Sequence, residues 1–178
     1  MILILLVILL AGMIVLIGYV MAVSDSLLGD YDFPTSKPAI NKVAEIIQPR
    51  RGNFYDLGSA RGDFLFKLAK LVPSIDYYGL DNSLFRIYVS RLKAFFLNKK
   101  ITFLHQNIFD ADFTKIDTAY IYLEKSLLPK LESKLQAELK AGAMVITNAN
   151  GFLSWQPETI YITYPKNPEK QKLFVYIK

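Results

Sequence analysis

The segment Phe54-Tyr55-Asp56-Leu57-Gly58-Ser59-Ala60-Arg61-Gly62-Asp63 constrains the fold more than any other part of the chain. An apolar run ends in an acid, small residues follow, and an amphipathic helical pattern begins at once. That succession reads as a buried strand, a tight turn and a helix N-terminus. Small residues in the turn let backbone approach a ligand closely. Nineteen residues after Gly62, Asp81 ends a second apolar run, Tyr77-Tyr78-Gly79-Leu80. An acid about 20 residues beyond such a turn can hold ribose hydroxyls, so the two features together point to a nucleoside-containing cofactor. The spacing Gly58-x-Ala60-x-Gly62 does not fit G-x-G-x-x-G, and no Gly-Lys-Ser/Thr follows it. A dinucleotide fingerprint and a phosphate-cradling loop are therefore both disfavoured.

Strand and helix patterns alternate around this core. Ser36 is suited to cap a helix that has Pro38 in its first turn. Its inward stripe is Ala39, Ile40, Val43, Ala44 and Ile47, and Pro49 ends it. Strands are expected at 53–58, 76–81, 101–105, 118–123 and 143–147. A helix over 62–72 turns Phe64, Leu65, Leu68, Ala69 and Val72 inward, and one over 83–97 carries Leu84, Tyr88, Leu92 and Phe95. A further helix carries Leu128, Leu131, Leu135 and Leu139, with Pro129 in its first turn and Gly142 as its stop. Residues 159–164 and 172–177 then read as two strands joined through Pro165-Lys166-Asn167-Pro168, with no helix between them. The pattern specifies an α/β fold with a parallel sheet, helices on both faces and an antiparallel edge hairpin.

Residues 1–23 contain no charged side chain, and fifteen of them are Leu, Ile or Val. As a helix this run spans about 35 Å, enough for a hydrocarbon core of about 30 Å. A cleaved signal peptide would need a basic n-region, which is missing, and an apolar core of about 7–15 residues, which this run exceeds. The expectation is a transmembrane anchor over 1–23, a polar linker over 24–33 and a globular domain over 34–178. Lys37 and Lys42 follow the anchor and no Lys or Arg precedes it, which orients the globular part to the cytoplasm.

The chain lacks Cys, which excludes a disulfide framework and thiolate metal sites. Its single His, His105, makes metal or triad chemistry built on histidine a poor fit, so no metal is expected. The formal net charge of +5 suits an anionic membrane surface or an acidic partner. The basic residues read as dispersed, without the stripe that a nucleic-acid partner asks for.

The acid and the three alternating small positions of 56–62 resemble motif I of the class I, seven-β-strand S-adenosylmethionine-dependent methyltransferases. A narrower resemblance covers most of the chain. An N-terminal apolar helix precedes Phe33-Pro34-Thr35 and Tyr55-Asp56-Leu57-Gly58-Ser59. Then follow Leu127-Leu128-Pro129-Lys130-Leu131-Glu132-Ser133-Lys134-Leu135, Glu138-Leu139-Lys140-Ala141-Gly142-Ala143 and Phe152-Leu153-Ser154-Trp155-Gln156-Pro157. This is similar to the membrane-anchored family that includes the ATP synthase c-subunit lysine methyltransferase. The resemblance implies a Rossmann-like sheet, S-adenosylmethionine as cofactor, and methyl transfer to a protein lysine, on a membrane-associated protein.

It further implies that Asp56 faces the methionine part of the cofactor, that Gly58, Ala60 and Gly62 pass beneath it, and that Asp81 takes the ribose hydroxyls. Asn107 and Ile108, next to Gln106, would flank the adenine. Thr35 would close the pocket, and Leu123 and Glu124 would face the transfer site, with Tyr122, Tyr120, Phe152 and Trp155 as candidate apolar walls. Two departures stand out: the family usually has Gly at 60 and an acid at 61, and Glu at the position of Asp81. A small-molecule or lipid methyltransferase, or a non-catalytic cofactor-binding module, would present a similar first half. The fourth strand ends in Leu123-Glu124-Lys125-Ser126, unlike the Asn/Asp-Pro-Pro-aromatic run of nucleic-acid amine methyltransferases.

Overall fold

Alternating apolar strands with amphipathic segments between them can bury both faces of a sheet only if helices return each strand to the same direction. A computed structural model describes residues 1–27, 33–164 and 171–178 and shows this arrangement. Two units are distinct, Met1–Asp32 and Phe33–Lys178. The first contains helix α1, Ile2–Leu27, which runs four residues beyond the charge-free segment. Its apolar stretch Ile2–Val20 is long enough to cross a bilayer, and none of it is buried inside the protein. Linker residues 28–32 and the Pro165–Pro168 turn lie outside the described residues.

The second unit holds α2 (Lys37–Ile47), β1 (Asn53–Leu57), α3 (Asp63–Leu71), β2 (Asp76–Asp81), α4 (Leu84–Phe96) and β3 (Ile101–His105). It continues with β4 (Thr118–Ile121), a short 3-10 turn, α5 (Leu128–Glu138), β5 (Met144–Asn148), β6 (Thr159–Ile162) and β7 (Lys172–Ile177). The seven strands pair in the order β3-β2-β1-β4-β5-β7-β6. The first five are parallel, and β7 and β6 add antiparallel. One apolar core packs α2, α3 and α4 on one face, with Phe54, Tyr77, Tyr120 and Ile146 at its centre. The other packs α5 and the segment after β3 against Leu57, Leu80, Ile121 and Val145.

Serine side chains cap α2 and α4. Ser36 Oγ accepts from Ala39 N and donates to Gln171 Oε1, tying the start of α2 to the entrance of β7. Ser83 Oγ accepts from Arg86 N at the start of α4. Asp117 sets the opposite end of the sheet, accepting from Asn53 N at 2.8 Å and pairing with Lys140 at 2.6 Å.

The apolar stripe of α4 differs from its expected role. Leu84, Tyr88 and Phe95 are 54%, 58% and 79% exposed, while Ile87, Ser90 and Ala94 face the sheet. The small residues Ser90 and Ala94 let the helix lie close to the sheet, and the large apolar residues point outward. β4 also ends two residues early, so Tyr122 and Leu123 have left the ladder.

Glu132 on α5 is buried beneath the chain that leaves β5. Its Oε2 accepts from Leu153 N at 3.0 Å, and its Oε1 accepts from Ser154 N at 3.0 Å and Trp155 N at 2.5 Å. Phe152 and Trp155 stack there, with ring centroids 5.8 Å apart, over Tyr176. Replacing Glu132 by Ala leaves three backbone donors without their acceptor, so the substitution should cost about 3 kcal/mol. Glu132→Gln, which keeps one carbonyl acceptor, should cost less. Thermal and urea unfolding of the two variants in the same detergent checks both the loss and its order.

Candidate active site

Parallel strands that share one direction bring their C-terminal ends to one edge of the sheet, where ligands bind in open α/β folds. In the sheet order this edge runs from the end of β3, past Asp81 on β2 and Asp56 on β1, to Tyr122 and Leu123 after β4 and Asn148 on β5. Asp56 pairs in register with Gly79 on one side and Tyr120 on the other, so all three lie in one row on the α2–α4 face. Asp81, two residues beyond Gly79, lies on that same face.

The turn after β1 is fastened to β2. Gly58 N and Ser59 N both donate to Leu80 O, at 2.9 and 2.8 Å. Ala60 N donates to Asp81 Oδ2 at 2.9 Å, and Ser83 N donates to Asp81 Oδ1 at 2.9 Å. One carboxylate therefore binds the turn before α3 and the turn before α4. Ala60 adopts φ 46°, a left-handed conformation that costs an L-residue roughly 1–2 kcal/mol. Two contacts impose it: the Asp81 bond on its N–H, and the buried Ser90 hydroxyl 3.1 Å from its carbonyl oxygen. Gly58 and Gly62 also have positive φ, and a Cβ at either would fall 2.5 Å from Leu123 or Phe103 side-chain atoms. A side chain at either place would be strained and would have to displace its neighbour.

Asp56 is fully enclosed, and its carboxyl is held well above the ordinary range, first by burial and then by the charge of Asp81. Tyr120 lies in the core with its ring stacked on Phe64 at 4.0 Å, so it is not an open wall of the site. Its hydroxyl accepts from Asn148 Nδ2 at 2.7 Å and lies 2.9 Å from Thr35 Oγ1. Burial raises the phenol far above its usual value, so this hydroxyl stays protonated. Among the described residues, Ser59 Oγ and Asn148 Oδ1 are buried polar atoms without a partner.

Around this centre, Phe33 packs on Tyr122 with centroids 5.4 Å apart, and Leu123 lies over Gly58. Glu124 is exposed, with its carboxylate 3.4 Å from Ser126 Oγ. Asn107 Oδ1 accepts from Phe109 N at 3.0 Å in an exposed turn, beside the buried Ile108. Phe152 and Trp155 are held by the Glu132 loop and pack with the α5 core. His105 Nε2 lies 3.0 Å from Asn82 O, consistent with a structural role at a strand end.

Sequence reasoning did not single out Ser59, Ser90, Asn148 or Glu132 as contributors. The small-residue turn pointed to Ser59 only as filler. Asn148 carried a usable signal, a polar residue at the C-terminal end of a parallel strand.

The donor set suits S-adenosylmethionine. Asp56, a poorly solvated carboxyl, suits a positively charged partner, and the cofactor carries an ammonium and a sulfonium. Backbone fixed over glycine and two unpartnered buried polar atoms suit an adjoining nucleoside.

Asp56 also sets a pH dependence. A carboxyl whose pKa is raised on folding binds protons more tightly when folded, so it favours folding below about pH 4 and that contribution is lost as pH rises through its folded value. Asp56→Asn should raise the unfolding temperature of the ligand-free protein at pH 7 and flatten its fall between pH 4 and 7. Melting curves across that range, compared with those of the unmodified chain, test this.

Comparison with known proteins bears on the family and the fold. A model of the family described as the ANTKMT methyltransferase domain matches residues 56–159. The ATP synthase c-subunit lysine N-methyltransferase of Rattus norvegicus is 27% identical over 128 residues, covering 70% of this chain and 58% of that protein. The adenine nucleotide translocase lysine N-methyltransferase of Mus musculus is 25% identical over 125 residues, covering 68% and 53%. The chain spans about half the length of these curated relatives. The crystal structure of an RNA methyltransferase from Salinibacter ruber, in complex with S-adenosyl-L-homocysteine, has a TM-score of 0.72 at 20% identity. It covers 82% of this chain and 93% of its own, a likeness of fold. The chain belongs to the ANTKMT methyltransferase domain family, built on the seven-strand fold of the S-adenosylmethionine-dependent methyltransferases.

Proposed function

We propose that this protein is a membrane-anchored S-adenosylmethionine-dependent methyltransferase that methylates a lysine side chain of a membrane protein. The observation that carries the reading is the pair Asp56 and Asp81 at adjacent strand ends, with Asp81 bonded to the turn that carries Gly58, Ala60 and Gly62. Membership of the family supports the reaction class. Two related proteins named as lysine N-methyltransferases, one for the ATP synthase c-subunit and one for adenine nucleotide translocase, support the acceptor.

Each residue then has a task. Asp56 accepts from the cationic amine of the methionine moiety, which relieves its poor solvation. Asp81 holds the turn and keeps acceptor capacity for ribose hydroxyls. Asn107, whose Oδ1 is engaged by Phe109, offers its amide N–H to the polar edge of the base, and Ile108 and Leu123 supply apolar contact. Thr35 and the Tyr120 hydroxyl close the side towards α2. When bound, the cofactor supplies a methyl group already activated by its sulfonium.

The acceptor side must take a lysine as its neutral amine. Phe33, Tyr122 and Leu123 form a partly apolar mouth beside the strand ends. Desolvation there lowers the pKa of an incoming ammonium, so its proton can pass to water without a dedicated base. Exposed Glu124 attracts the ammonium during approach. Helix α1 serves as a single-pass anchor on a cytoplasm-facing domain, raising the local concentration of membrane-embedded acceptors.

Intact-mass and peptide analysis of membrane fractions from cells with and without the gene tests the assignment. At least one membrane-protein lysine should be methylated with the wild-type gene, and unmethylated both without it and with Asp81→Ala. Asp56→Asn, which keeps the Asp81 bonds, should also abolish the modification. Lysine methylation unchanged in every membrane fraction, or a mass change confined to lipids, would overturn the assignment.

A further inference from the structure

Residues 82–109 contain no Asp or Glu but five basic residues: Arg86, Arg91, Lys93, Lys99 and Lys100. The whole chain has 21 basic and 16 acidic residues, so the remainder is balanced at 16 against 16. The net charge of +5 therefore equals that of this one segment, which is set apart by its lack of acids. The segment comprises α4 and β3, and β3 is an edge strand of the sheet.

On this segment the outward face of α4 presents Leu84, Tyr88, Leu92 and Phe95 as a stripe, with Phe96 and Leu97 at its end. Phe96 is 77% exposed. Beside the stripe, Val89, Leu92, Phe96 and Leu97 share a groove with Lys67 and Lys70 of α3 and with the ion pair of Asp63 and Lys93. Lys67, Lys70 and Lys100 are exposed and Lys99 is half-buried. Arg91 and Lys93 are already engaged, with Phe103 O and Asp63 respectively.

We propose that the outer face of α4 docks on an anionic bilayer surface. Its Leu, Tyr and Phe side chains enter the boundary between headgroups and acyl chains, while Lys67, Lys70, Lys99 and Lys100 meet lipid phosphates. Phe, Leu and Tyr on one side with lysines around them is the composition of helices that lie in the membrane interface. Protein–protein interfaces are depleted in Lys, so the rim argues against a protein occupant. With 13 residues, α4 is about 20 Å long, too short to span a bilayer, and its other face is fixed to the sheet. It must therefore lie flat. No acid lies over 82–109, and Asp63 at the groove is paired with Lys93, so little repulsion opposes an anionic surface. The proposal depends neither on the identity of the methyl acceptor nor on what α1 does.

Because the chain has no Cys, a single introduced thiol can be labelled without a background. The full chain carrying Tyr88→Cys, Phe95→Cys or, on α5 across the sheet, Ala137→Cys is labelled with an environment-sensitive fluorophore. Each is reconstituted with phosphatidylcholine vesicles, with and without phosphatidylglycerol, containing lipids with a nitroxide near the headgroup. Labels at 88 and 95 should lose about half or more of their intensity in the anionic vesicles, as expected for residues at the headgroup boundary. The label at 137 should be unaffected, and adding Lys99→Glu with Lys100→Glu should restore intensity at 88 and 95. Quenching at 88 and 95 no greater than at 137, or equal in neutral and anionic vesicles, would overturn the proposal. Excimer emission between pyrene labels at 95 without lipid quenching would identify a second copy as the occupant and overturn it likewise.

Discussion

The carboxylate of Asp81 is the constraint on which the candidate site depends. Its two oxygens accept from Ala60 N and Ser83 N, so a single side chain joins the turn after β1 to the turn after β2. The first turn is thereby held in a conformation that includes a left-handed alanine, which would relax in a free peptide. Ser90 adds a third tie from the buried face of α4. Small residues in the turn are necessary for this geometry, but the Asp81 bonds and the Ser90 contact hold it in place.

The same constraint explains why Asp56 is unfavourably placed in the ligand-free protein. It is enclosed beside a carboxylate that cannot move away, because Asp81 is engaged on both oxygens. Under the proposed function, activity and stability pull in opposite directions at this one residue, as is common where a site is organised for a charged ligand. A counter-charge brought by the ligand resolves the conflict, which is how electrostatic preorganisation is expected to act.

Much of the fold was legible because strand periodicity and turn residues act locally. The ranges of β2, β3 and β7 coincide with the apolar runs, and Ser36 stands where the helix cap was expected. The strand-end positions of Asp56 and Asp81 were legible for the same reason. The direction of α4 was not, because a helical period reveals that one face is apolar without saying which neighbour covers it. Ser90 and Ala94 permit the closest approach to the sheet, and that packing preference overrode the larger apolar stripe. Glu132 was illegible because its role depends on a loop 21 residues away that folds back over α5. Tyr120 read as a wall of the site, yet three-dimensional packing puts its ring in the core and leaves only the hydroxyl in the polar cluster.

Calorimetric titration of S-adenosyl-L-homocysteine into the detergent-solubilised full chain tests the central claim most directly. Saturable binding at one site per chain, retained when Glu124 is replaced by Ala and lost when Asp81 is, is the result this account predicts. Absence of binding by the unmodified chain, or equal binding by the Asp81→Ala chain, would contradict it.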